Sequence, residues 1–160
     1  MKVPAAWIAA DVDDARLLWK IKLTWHALGV PLVRKFPALF PTSGLRSDSR
    51  QKAMARDPLY AAKVAGAGKV SQHVLGEAGD LDGPRAALVE AFRWAHANLP
   101  WWQLIVYFKV PEPPTGLGES LHVSILSESP TVAQKALYYV NGSANTYLGR
   151  FDGVEGPVAV

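Results

Sequence analysis

The chain contains no cysteine. Disulfides and thiolate metal sites are therefore excluded, and any bound transition metal must rest on imidazole and carboxylate. The absence does not choose a redox compartment. No apolar run approaches the roughly 20 residues that cross a bilayer, so no membrane insertion is expected. Charge of one sign is also scarce: the net charge is +3, and no recognised nucleic-acid-binding motif accompanies it, so nucleic acid is not an expected partner. Nothing resembles a serine or cysteine triad or a phosphate loop, and there is no internal repeat or low-complexity segment.

What is present bounds the answer. At 160 residues, 49% hydrophobic and 19% charged, the chain can fill one core, so a single domain is expected and disorder is not. We take residues 1–160 as that domain, with a core over about 13–140 and an irregular C-terminal tail. The start, Met1 to Ala10, faintly resembles a signal peptide, but Asp11, Asp13 and Asp14 cut its apolar run short. The expectation is synthesis in the cytoplasm without a secretion signal. Arg46, Arg50, Lys52, Arg56, Lys63 and Lys69 lie in one stretch against only Asp48 and Asp57. That stretch reads either as a solvated helical face or as a surface for an anionic partner.

Helices come first and strands cluster late. Asp13 is placed to cap a helix in which Leu18, Ile21, Trp25 and Leu28 recur at helical spacing, and Gly29 with Pro31 is expected to end it. Ser47 can cap a helix over about 48–56, and Asp57-Pro58 can start another that runs to about Val64. Asp82-Gly83-Pro84 opens a helix whose apolar stripe is Leu88, Ala91, Phe92, Ala95 and Leu99. Gln103 to Val110 and Ser120 to Leu126 read as strands, separated by a Pro- and Gly-rich loop over 111–118, and Ala136 to Val140 adds one more. The class is α+β, with a small antiparallel sheet.

The chemistry sits in two segments. Ser71-Gln72-His73-Val74-Leu75-Gly76-Glu77-Ala78-Gly79-Asp80 and Glu119-Ser120-Leu121-His122 together hold two of the four histidines. They supply two imidazoles, a ligand carboxylate and a spare carboxylate. That is the inventory of a catalytic zinc site with three protein ligands, an open position and a base. His73 and Asp80 are too far apart for one helical face, so a turn at Gly76 must bring them together. Strand alternation puts His122 and Ser124 opposite Leu121, Val123 and Ile125. Glu77 and Asp82 are competing carboxylates; Glu77 is expected to face solvent and Asp82 to cap a helix. His26 and His96 lie on expected helices as packed or half-exposed side chains. Trp101 and Trp102 either line a groove or pack the helix end on the sheet.

Ser-x-His-x-x-Gly-x-Ala-x-Asp followed by (Glu/Asp)-x-x-His resembles the zinc-dependent D-alanyl-D-alanine carboxypeptidase and L-alanyl-D-glutamate endopeptidase family, which includes phage endolysins. Ser43-Gly44-Leu45-Arg46-Ser47 resembles that family's upstream Ser-Gly-Tyr-Arg-Ser element, with Leu45 in place of the aromatic. The three motifs stand in the family's order and span about half the chain. The resemblance implies a hedgehog/DD-peptidase-like fold with helices packed on one side of the sheet. It implies one Zn2+ per chain on His73, Asp80 and His122, with Glu119 as general base. It also implies that Arg46 meets the scissile carbonyl or a substrate carboxylate, and that Ser71 contacts the substrate backbone. One departure is at Gln103-Leu104-Ile105-Val106-Tyr107, where many members end the strand in an acid; Glu119 supplies an alternative base.

The expected activity is hydrolysis of a stem-peptide amide of bacterial peptidoglycan, by a monomeric, endolysin-like enzyme of a bacteriophage. It would reach the cell wall after holin release or as part of a virion. Alternatives are a D-alanyl-D-alanine carboxypeptidase, or a non-catalytic zinc-stabilised module that binds a partner or serves in a phage particle.

Overall fold

The computed structural model describes residues 1–56, 71–109, 119–129, 132, 134–141 and 145–150. The expected helix over 57–64 and the expected loop over 111–118 lie outside the described residues.

Helix α1, Ala15–Thr24, begins one residue later than expected. Asp14, not Asp13, is the cap, and its carboxylate accepts from the backbone N–H groups of Arg16 and Leu17. The helix does not stop at Gly29 and Pro31. A wide π turn over Trp25–Gly29 leads directly into α2, Val30–Lys35. Pro31 has no N–H to donate, and here it falls in the first turn of α2, where a missing donor costs little. Ile21, Trp25 and Leu28 all enter the core, so burial of this continuous stripe outweighs the local stop signal.

Strand β1, Phe40–Ser43, is followed by α3, Asp48–Arg56, whose first turn is capped by the Ser47 hydroxyl accepting from Arg50 N–H. Strand β2 is Ala78–Asp82 and α4 is Arg85–Asn98. Asp82 is not the cap of α4. It ends β2 and accepts from the Thr42 hydroxyl, while Pro84 precedes the helix without a side-chain cap. Strands β3, Gln103–Lys109, β4, Ser120–Ser124, β5, Lys135–Asn141, and β6, Asn145–Arg150, complete the sheet.

The fold class is α+β, as expected, but the sheet is larger than expected. Its order is β1-β2-β4-β3-β5-β6. The first four strands are antiparallel throughout, whereas β5 runs parallel to β3. Residues 145–150 of the tail expected to be irregular instead form β6, antiparallel to β5 with an irregularity at Tyr138/Tyr139, while 142–144 and 151–160 lie outside the described residues. Gly149 sits inside that strand.

The register divides the sheet into two chemically different faces. Leu81, Leu121 and Val106 lie abreast, as do Val123 and Leu104, and all five are fully buried in the core. Helix α4 packs against β3 and β4, and α1 against β2, to cover that face. Asp80, His122 and Ile105 form the next row and point the other way. Trp7 anchors the edge. Its indole N–H donates to the Asp80 carbonyl at 3.0 Å, and its ring fills the space beside Gly79, where a Cβ would collide with it.

Candidate metal centre

Each of the three expected ligands arrives by a different local device. His73 lies in a turn closed by Val74 and Leu75 N–H donating to the Ser71 carbonyl, at 3.0 and 3.2 Å. Gly76 ends the turn with φ +69°, a conformation that favours glycine, and its position against the Leu17 backbone leaves no room for a Cβ. The chain then enters β2, which delivers Asp80, and Asp80 pairs directly with His122 across the β2–β4 ladder. The turn at Gly76 expected from the sequence is what the fold contains.

The three side chains converge. One ligand atom from each of His73, Asp80 and His122 lies within 4.8 Å of the others. His122 Nδ1 is 3.0 Å and His73 Nε2 is 3.4 Å from the same oxygen, Asp80 Oδ1. Zinc bonded at about 2.0–2.1 Å in tetrahedral geometry requires ligand atoms roughly 3.3 Å apart. Both spacings to Asp80 Oδ1 are close to that value, and the cluster could hold a metal ion. The outer atoms fit as well. His73 Nδ1 lies 2.8 Å from the Gly44 carbonyl, which can only accept, so Nδ1 carries the proton and Nε2 is left free for the cluster.

Electrostatics favour the ligand-competent states. Burial pushes the His73 pKa below its ordinary value, despite the opposing pull of Asp80, and so favours the neutral imidazole. Burial alone would raise the Asp80 carboxyl. The two histidines beside it, His73 first and then His122, outweigh burial and hold Asp80 well below the usual carboxylate range. Arg46 adds to this. Its Nη2 lies 3.5 Å from Asp80 Oδ2, the oxygen turned away from the histidines. The guanidinium is oriented by Ser43 Oγ at 2.9 and 3.2 Å and by Gln51 Oε1 at 3.1 Å. Burial lowers its pKa and Asp80 raises it. The basic stretch thus splits: Arg46 turns into the site, while Lys52 pairs with Asp48 one helical turn away.

Not every expected residue joins this cluster. The Glu119 carboxylate is fully buried in a bidentate ion pair with Arg85, at the start of α4. Arg85 itself stacks over Phe108, 5.0 Å from the ring centre, on the helix-covered face. Glu119 has the alternation of Leu121 and Val123, not of His122, so three residues of extended chain carry it away from the histidines. Ser71 contributes its carbonyl to the turn. Glu77, expected to face solvent, is fully buried; Oε1 accepts from Lys20 Nζ at 3.3 Å and from Glu128 N–H at 2.9 Å. It ties the ligand turn to α1. Its place between Gly76 and Ala78 in a tight turn was the available signal, and chain alternation alone could not read it.

Gln72, which the motif left unweighed, and Tyr107, which stands at the motif's departure, both adjoin the site. Gln72 is buried beside His122, 3.4 Å from its Nε2. Tyr107 shares the cluster's face of β3 with Ile105 and acts electrostatically on Arg46. Outside the centre, His26 is exposed, and His96 is half-buried against Phe92 and Trp101. Trp101 packs the end of α4, donating its indole N–H to the His96 carbonyl, whereas Trp102 donates its indole N–H to the Val132 carbonyl. Comparison of the chain with protein-family models, curated proteins and solved structures returns no match.

Proposed function

We propose that this chain is a zinc-dependent peptidase that hydrolyses a stem-peptide amide bond of bacterial peptidoglycan, at a bond involving a D-amino acid. The observation that carries the reading is the meeting of His73, Asp80 and His122 with an oriented Arg46 on one sheet face. His73 Nε2, Asp80 Oδ1 and His122 Nδ1 would hold the ion. Bound zinc supplies a Lewis acid and lowers the pKa of a coordinated water. Arg46 stays charged and keeps a fixed planar fork, which suits a carbonyl oxygen developing negative charge or a substrate carboxylate. The hedgehog/DD-peptidase-like fold belongs to the same proposal. So does the endolysin-like role, with an endopeptidic bond preferred because a lytic enzyme must cut links that bear load.

A second reading has its own support. Glu119, the base implied by the motif, is held by Arg85, and Tyr107 stands where related strands end in an acid. Those two facts favour a zinc-stabilised module that binds without hydrolysing. Mass spectrometry of purified peptidoglycan after incubation decides between them. A peptidase releases new amino and carboxyl termini without new reducing sugar, and a chelator abolishes the release; glycosidic cleavage, which needs no metal, would not behave so. Free D-alanine as sole product identifies a carboxypeptidase. Intact peptidoglycan after incubation with zinc-loaded protein refutes the peptidase and leaves the binding module.

A further inference from the structure

We propose that Gln72 is a positioning residue that selects the His122 tautomer able to bind metal. The proposal rests on the metal reading above and assigns a role to a side chain that the motif leaves variable. A buried amide has two ends of opposite character, and its neighbours decide which end goes where. One terminal atom of Gln72 lies 3.0 Å from the Leu126 carbonyl and 3.1 Å from Ser124 Oγ. A carbonyl can only accept, so this atom is Nε2. Ser124 Oγ agrees, because it also accepts the Gln103 N–H at 3.1 Å. The Leu126 carbonyl and Ser124 therefore turn Gln72 Oε1 towards His122 Nε2, at 3.4 Å.

The consequence passes through the imidazole. Oε1 has no proton to give, so its bond to His122 calls for the tautomer with the proton on Nε2, the one that remains when a cation takes Nδ1. A neutral imidazole has one N–H, so Nδ1 keeps its lone pair. Nδ1 is the atom that faces Asp80 Oδ1 at 3.0 Å. Neutral His122 cannot satisfy Asp80 and Gln72 together, since each demands a proton from a different nitrogen; a cation at Nδ1 satisfies both. Gln72 also adjoins His73, whose tautomer is set by the Gly44 carbonyl. One dipeptide thus supplies a ligand and the group that orients the opposite ligand. The two histidines present different ring nitrogens, Nε2 from His73 and Nδ1 from His122, because their outer partners lie on different sides.

The test uses histidine-labelled, zinc-loaded protein and nitrogen NMR, with zinc affinity from chelator competition. The wild-type spectrum should show His122 protonated at Nε2 and metal-bound at Nδ1, with the reverse for His73. Gln72→Met keeps the length and removes the acceptor; zinc affinity should fall about 10–100-fold, the usual scale for losing an outer partner of a ligand. Gln72→Glu keeps an acceptor and should recover most of the affinity. Metal bound through His122 Nε2 in the wild type overturns the proposal, and needs no variant to fold. So does a folded Gln72→Met protein that holds zinc as tightly as wild type, or equal losses in the Met and Glu variants. Those outcomes leave the metal site standing, whereas a wild-type protein that takes up no zinc removes both.

Discussion

Glu119→Gln distinguishes a buried structural carboxylate from a catalytic one. The wild-type side chain is fully buried and engages Arg85 Nε and Nη2 through both oxygens. Glutamine keeps the shape, retains one accepting oxygen and loses the charge. Breaking a buried ion pair from one side costs about 3–5 kcal/mol. Arg85 remains 31% exposed and can recruit water, so the expected loss is smaller; the forfeited charge-assisted bonds place it at about 2 kcal/mol. For a domain of this size that corresponds to a fall in Tm of about 4–8 °C. Glu119 lies outside the ligand set, so zinc content should be unchanged. Thermal unfolding, elemental analysis and turnover on peptidoglycan are measured on the same preparation. The geometry predicts a less stable protein that retains zinc and loses no more activity than its folded fraction. An unchanged Tm with full zinc and a loss of turnover of a hundredfold or more, the scale of a missing general base, would refute this reasoning and return Glu119 to the catalytic site.

Three further outcomes follow from the same geometry. His122→Ala should remove most of the metal, because two remaining ligands cannot complete the site; full zinc occupancy by elemental analysis would contradict the ligand assignment. In the metal-free protein, stability should decline as pH falls below about 6.5, where the unfolded chain protonates His73 and the folded chain resists it. Asp80 acts in the same direction at lower pH: its depressed pKa contributes stability above about 3.9 that is lost on further acidification. Urea midpoints with chelator at pH 7.5 and 5.5 check this, and an equal or higher midpoint at the lower pH would be incompatible with it. Gly79→Ala places a Cβ on the Trp7 ring, so overpacking should cost about 1–3 kcal/mol and weaken zinc uptake through the neighbouring Asp80; a variant with wild-type Tm would show that Trp7 yields easily.

The amino-acid sequence by itself determined the parts of this protein that depend on local periodicity and residue chemistry. Alternation along Ser120 to Ser124 separated His122 from Leu121 and Val123 before any partner strand was known, because successive strand side chains must point to opposite faces. Gly76 marked the turn that a seven-residue gap between ligands required, and the absence of cysteine restricted the donors to imidazole and carboxylate. Only the tertiary structure decided what those residues meet. Antiparallel register brings Asp80 level with His122, and a slip of one residue would have sent the carboxylate into the core. Burial of Ile21, Trp25 and Leu28 carried the helix past Pro31, and pairing alongside β3 made β5 a parallel strand, with β6 formed from glycine-containing tail. The fates of Glu119, Glu77 and Gln72 were least legible, because each depends on a partner distant in sequence. Arg85, Lys20 and the Leu126 carbonyl choose among states that the local chain leaves equally open.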